Sequence, residues 1–216
     1  MIAPDSGAYT LLYEYTFNSP YALRGWSEKI FRGKTFYEVA LDQKAGFVMK
    51  VQSQGTSSGL YRKVKVPIHK GPILEWEWKV TRFPQYNKQL PLEDVHNNDY
   101  AVRIYAIFEG RTLFSSDVIE YVWDNRVSSG TYSNSPLSER VKIFVVRGNS
   151  DNPSDQWHQE KRNLAKDYEM LFGEFPRKNL TAIAIMSDSD DTQSSTEAYL
   201  KHISIRIPLV EKGDLS

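Results

Sequence analysis

Ten short segments of this chain alternate polar with apolar residues, or run β-branched and aromatic, with turn residues between them. They are Thr10–Phe17, Lys34–Leu41, Gly46–Gln52, Gly59–Pro67, Ile73–Val80, Asp99–Phe108, Val118–Trp123, Lys142–Arg147, Leu180–Met186 and Glu197–Ile207. A side-chain period of two commits each to a strand, because only there do successive residues face opposite sides. So many strands with so little helix between them leave two ways to bury their apolar faces, a sandwich or a barrel. The expectation is an all-β fold: an antiparallel β-sandwich of jelly-roll type, with one short helix before the penultimate strand. No linker, repeat or low-complexity tract divides the chain. Residues 1–216 are therefore read as a single domain, ordered over about 8–208.

Three connections are long: Thr81–Asn98, Asp124–Val141 and Gly148–Asn179. Loops of that length in a compact domain carry function or small elements of their own. The third carries the helix, where Leu164, Tyr168 and Leu171 recur at helical spacing and Gly173 stands at a C′ position. The tail PLVEKGDLS is expected to fray.

Composition removes several classes. Twenty-seven basic residues balance twenty-seven acidic ones, so no net field attracts nucleic acid or an anionic membrane. Cysteine is absent, which excludes disulfides, thiolate metal sites and cysteine nucleophiles. No apolar run approaches the roughly 18–20 residues of a membrane span. The start, MIAPDSGAY, shows no signal peptide. A periplasmic or secreted location is expected if a leader was removed, and a cytoplasmic one otherwise. Zinc-protease, serine-hydrolase and nucleotide motifs are missing, and the four histidines lack metal-ligand spacing. No nucleotide or redox cofactor is expected.

Candidate chemistry lies at three places. In the strand DYAVRIYAIF, parity puts Asp99, Arg103 and Tyr105 on one face, either to meet an extended ligand or to bridge strands as an ion pair. Tyr121 and Trp123 share a face of the next strand, where exposed rings stack on sugars and buried ones fill a core. The loop SDSDDT offers Asp188, Asp190 and Asp191 as hard oxygen ligands for Ca²⁺. It departs from the EF-hand pattern, with Gln193 where glycine belongs and Tyr199 at the twelfth position. The alternative is that Asp188 or Asp191 pairs with an arginine such as Arg162 or Arg147 while Asp190 caps a turn. Glu75 and Glu77, two apart on LEWEWKV, lie roughly 7 Å apart, a glycosidase-like spacing. Lys79 continues that alternation, so the face is read as solvated, with Trp76 and Trp78 behind it.

The segments NDYAVRIYAIF, EYVWDN, KIFVVRG, WHQEKRNLAKDYEMLFGEFP, AIAIMSDSDDT and EAYLKHISI follow one another in an order similar to a bacterial family, domain of unknown function 3047. The resemblance covers roughly 74–207 and maps the family pattern onto Asp99, Arg103, Tyr121, Trp123, Arg162, Asp167, Tyr168, Asp188, Asp190, Asp191 and Thr192. Asn98 and His202 stand where relatives are often acidic, which counts against a metal site made by that pair. The resemblance implies an exported bacterial protein with a galactose-binding-like jelly roll, and no transferable activity.

Three functions are weighed. The first is a non-catalytic sandwich that binds a glycan or other extended ligand through Asp99, Arg103, Tyr121 and Trp123, with Arg162, Asp167 and the acidic loop at the rim. The second is a hydrolase or lyase using Asp99 with Asp188 or Asp190, tuned by Arg103 and Arg162. The third makes the Asp/Arg/Tyr set a buried structural network and the protein an envelope-interaction module.

Overall fold

The computed structural model describes residues 8–88, 90–110, 115–151 and 156–209. Among the described residues, thirteen strands are arranged in two sheets. Sheet A has the order β11(His158–Asn163)-β6(Ile73–Arg82)-β13(Ser195–Pro208)-β4(Gly46–Gln54)-β3(Phe36–Asp42), with β1(Tyr9–Thr16) also paired to β13. Sheet B has the order β2(Ser27–Arg32)-β5(Ser57–Val66)-β12(Leu180–Asp188)-β7(Arg103–Phe108)-β8(Val118–Trp123)-β10(Ser138–Arg147)-β9(Tyr132–Ser135). The fold is the expected sandwich. It departs from a purely antiparallel one at a single described pair, because β10 runs parallel to β8 and makes sheet B mixed. A parallel neighbour demands a long crossover, and the connection after Trp123 supplies it.

The core lies between the sheets. The inner faces of β6 and β13 contribute Leu74, Trp76, Trp78, Leu200, Ile203 and Ile205, and those of β7, β8 and β12 contribute Ile104, Phe108, Tyr121, Trp123 and Ile183. Trp76 packs on Tyr121 at 5.3 Å between ring centroids and Trp78 on Trp123 at 6.0 Å, so these rings join the two sheets.

The helix α1 spans Leu164–Phe172. Asn163 caps it by accepting from the Ala165 and Lys166 amides, and Gly173 closes it in the left-handed region at φ 73°. Leu164, Tyr168 and Leu171 are its buried side, as their spacing implies.

Three strands differ from the sequence expectation. β2, β9 and β11 fall outside the ten segments marked by periodicity, and each lies at the edge of a sheet. The strand expected from Asp99 begins at Arg103, because residues 99–102 leave the ladder: the Tyr100 amide donates to the Asp188 side chain. The tail beyond residue 209 lies outside the described residues. No helix among the described residues is long and apolar enough to cross a membrane.

Trp123 is 1% exposed at the sheet–sheet contact. Trp123→Ala is expected to destabilise the fold by about 3–5 kcal/mol, read by urea denaturation. A loss below about 1 kcal/mol would mean that the ring is not a core element.

Candidate functional site

The residues singled out in the sequence fall into two groups, on opposite faces of sheet B. Cross-strand register pairs Ile104 with Tyr121 and Arg103 with Val122, so Arg103 cannot share a face with Tyr121 and Trp123. The two rings point inward, at 0% and 1% exposure. The expected stacking platform is thereby corrected: parity showed that they share a face, and the face is the core.

Tyr121 donates instead to Asp167 Oδ2 at 2.8 Å, and Arg162 grips the same carboxylate through Nε at 2.9 Å and Nη2 at 2.5 Å. Arg162 also lies 4.6 Å from the centre of the Phe144 ring. These three polar residues are brought together as a clamp holding α1 to sheet B. Burial foremost, and then the Asp167 charge, pushes the Tyr121 hydroxyl well above its ordinary value, so it stays a donor.

On the outer face of sheet B, Arg103 is the centre of a second cluster. Its guanidinium bonds to Asp188 Oδ2, to Glu120 Oε2 at 3.2 Å, and to Asn98 Oδ1 and O at 3.1 and 3.0 Å. Asp188 also accepts the Tyr100 amide at 2.8 Å. Asp99 accepts the Asp191 amide at 3.2 Å and both the amide and the hydroxyl of Thr192 at 2.7 Å. Arg103, Asp99 and Asp188 are at most 2% exposed. A small apolar cluster of Leu92, Tyr100, Val122, Ile143 and Val145 covers the neighbouring part of this face. Burial raises the Glu120 carboxyl, against the pull of Arg103.

Carboxylate oxygens of Asp99, Asp188 and Asp190 lie within 4.8 Å of one another and could serve a hard cation. Asp191 is not part of that trio. It contributes its amide to Asp99, while burial and then the charges of Asp99 and Asp190 push its own carboxyl up. The ligand set expected from the loop is thus changed by one residue. A calcium ion there would share Asp188 with Arg103, which already supplies a cation to that carboxylate.

The open surface is the outer face of sheet A. Register sets Glu38, Lys50, Tyr199 and Lys79 in one row across β3, β4, β13 and β6. A neighbouring row carries Phe36, Gln52 and Glu197. Lys79 Nζ lies 4.7 Å from the Tyr199 ring centre and 5.0 Å from that of Trp157, and Lys201 Nζ lies 5.3 Å from Trp157. Both rings are half-buried, and neither belongs to a hydrophobic cluster. Lys79 bonds Asp42, Lys201 bonds Glu77, and Glu197 accepts from Gln52, Thr81 and Tyr199. Glu77 is thereby an ion-pair partner, and Glu75 meets Arg206 at 3.4 Å, so the spacing of these two carboxylates serves pairing. Trp157 and Tyr199 were not singled out in the sequence. Trp157 precedes an edge strand without a period, and its one signal was a tryptophan in an otherwise charged run.

The family model for "Protein of unknown function (DUF3047)" matches residues 24–204. The chain belongs to this family. No curated protein matches it. Among solved structures, the DUF3047 chain is similar to the Family 11 carbohydrate-binding module of the cellulosomal cellulase Lic26A-Cel5E of Clostridium thermocellum. Identity is 13%, with 97% of this chain and 99% of that one covered and a TM-score of 0.50. The family 30 module of cellulase Cel9D-Cel44B of the same organism aligns at 9% identity over 94% of this chain and 100% of that one, TM-score 0.48. The CBM22-1 xylan-binding domain of Paenibacillus barcinonensis Xyn10C aligns at 10% identity over 95% and 99%, TM-score 0.42. At such identities the first likeness speaks to the fold: DUF3047 is a jelly-roll sandwich of the kind found in carbohydrate-binding modules.

Two outcomes follow for the DUF3047 clusters. Arg103→Met leaves Asp188 and Glu120 buried without their cation and is expected to destabilise by about 3–5 kcal/mol in urea denaturation. A loss below about 1 kcal/mol would show that the cluster does not depend on it. Asp42 is held down to about 2, chiefly by the Lys79 hydrogen bond, against burial and with help from the Ala45 and Lys44 amides. Its unfolded value is near ~3.9, so its contribution is complete above that value and is lost as pH falls towards 2. The stability difference between wild type and Asp42→Asn is therefore expected to shrink between pH 5 and pH 2. A difference that stays constant would count against the pair.

Proposed function

We propose that this DUF3047 protein is a non-catalytic glycan-binding sandwich whose contact surface is the outer face of sheet A. The observation that carries the reading is the pair Trp157 and Tyr199, half-exposed and held in place by Lys79 outside either hydrophobic cluster. A ring of this kind gains by covering apolar C–H surface while polar groups beside it bond hydroxyls, which is the pattern a sugar presents. Ammonium and carboxylate groups flanking the rings make charge-assisted bonds to such hydroxyls, stronger than neutral ones. The rows cross four strands at about 4.8 Å spacing, a surface suited to an extended chain. The fold shared with carbohydrate-binding modules supports the reading by analogy. Asp99 and Asp188, weighed as an acid–base pair, are buried and bonded to Thr192, Tyr100 and Arg103, which favours a structural role for them over turnover.

The test is a thermal-melt and calorimetry panel of soluble polysaccharides, since a ligand of the folded state raises the melting temperature. At least one glycan class is expected to raise it. Trp157→Ala should weaken that binding about tenfold, with a melting temperature in the absence of glycan within ~2 °C of wild type. A panel with no shift, or undiminished binding by the variant, would sink the proposal.

A further inference from the structure

We infer that the ligand of the sheet A face is an uncharged glycan, and that the face discriminates against polyuronates and other polyanions. The inference rests on the glycan reading above and concerns the charge of the same ligand.

Around the two rings the cations already have carboxylate partners within the chain, whereas Arg82, level with Glu197 on β6, bonds the Ser195 hydroxyl. Lys79 bonds Asp42 at 2.5 Å, Lys201 bonds Glu77 at 2.8 Å, and Lys50 lies 3.4 Å from Glu197. At the far end of β6, Glu75 sits 3.4 Å from Arg206 and 4.0 Å from Lys161. The ammonium beside both rings, that of Lys79, therefore carries no spare charge. An acidic sugar approaching Trp157 would meet Asp42, Glu77 and Glu197 alongside the lysines. It would have to displace an internal carboxylate or sit beside one, and like-charge contacts of this sort act against a wrong partner. A neutral sugar leaves every pair intact. Each ammonium keeps N–H donors beyond its ion pair, and the carboxylates of Asp42 and Glu77 keep free lone pairs, while that of Glu197 is already bonded on both oxygens. A hydroxyl donates and accepts at once, so it suits a surface on which donors and acceptors alternate. The chain's net charge of zero adds no long-range pull on a polyanion.

Asp42 and Glu197 stay ionised at neutral pH. Burial opposes the charge of Glu197, but bonds from Thr81, Tyr199 and Lys50 bring its carboxyl below the ordinary value.

The experiment compares neutral polysaccharides (a β-glucan, a xylan, a mannan) with polygalacturonate and alginate, by calorimetry at low salt. The expected result is binding of at least one neutral class, with the acidic polymers weaker by about tenfold or more. Tighter binding of an acidic polymer, weakening as salt is added, would overturn the inference and leave the glycan reading standing. Binding of no polymer of either kind would overturn the glycan reading itself. Two variants address the mechanism. Asp42→Asn and Glu77→Gln each release one lysine, and each is expected to strengthen polygalacturonate binding several-fold. No gain in either variant, with both folded by circular dichroism, would show that internal pairing does not set the preference.

Discussion

Four rings between β6 and β8 set the geometry on which the rest of the molecule depends. Trp76 and Trp78 on one sheet meet Tyr121 and Trp123 on the other, with centroids 5.3 and 6.0 Å apart across the interface. Side chains of that size leave little freedom in how far apart or in what register two sheets can lie. Once Trp76 and Trp78 point inward, strand parity sends Glu75, Glu77 and Lys79 outward, into contact with β13, β3, β11 and the Trp157 segment. The same rule on the opposite sheet turns Arg103 and Glu120 away from the core as Tyr121 turns into it. The inside of this sandwich thus dictates which polar groups its two outsides display.

Those outsides use similar residue types to different ends, and coverage decides which. Beside the Leu92–Tyr100 cluster, Arg103, Asp99, Asp188 and Glu120 are shut away from water, so each carboxylate there needs a bonded partner. On sheet A, Lys50, Glu77, Lys79, Glu197 and Lys201 remain half-buried and water can complete their bonding. A buried arginine with two acidic partners holds a loop in one conformation; a paired lysine beside a half-exposed ring leaves room for something else to bind.

Much of the architecture was legible in the sequence. Strands with two neighbours announced themselves by alternation, and α1 by Leu164, Tyr168, Leu171 and Gly173. β2, β9 and β11 did not, and all three are edges. An edge strand has a partner on one side only. β2 illustrates this, with all six residues exposed and almost no apolar period to find. The candidate site was less legible. Parity sorted Tyr121 with Trp123 and Asp99 with Arg103, but it does not say which face of a strand is inward. That depends on which other sheet lies opposite, a property of the tertiary fold. Nor does local sequence reveal that residues 99–102 leave the ladder, because the acceptor that draws Tyr100 away is Asp188, far along the chain. Trp157 belongs to the face only because β11 docks beside β6.

One feature of sheet A bears on how the molecule is made. β13 stands between β6 on one side and β4 and β1 on the other, the latter two laid end to end along it. The first strand, Tyr9–Thr16, takes its ladder partners from His202–Pro208. As the chain emerges from a ribosome, β1, β4 and β6 wait without their shared neighbour until β13, the last of these strands in chain order, has been synthesised. Loops closing over such separations make for slow folding. In sheet B, β5 is joined to β7 only through β12, which also arrives late. Both sheets are therefore completed only once β12 and β13 have been made, with unpaired strand edges waiting in the meantime, the period in which a chain of this design has most need of a chaperone.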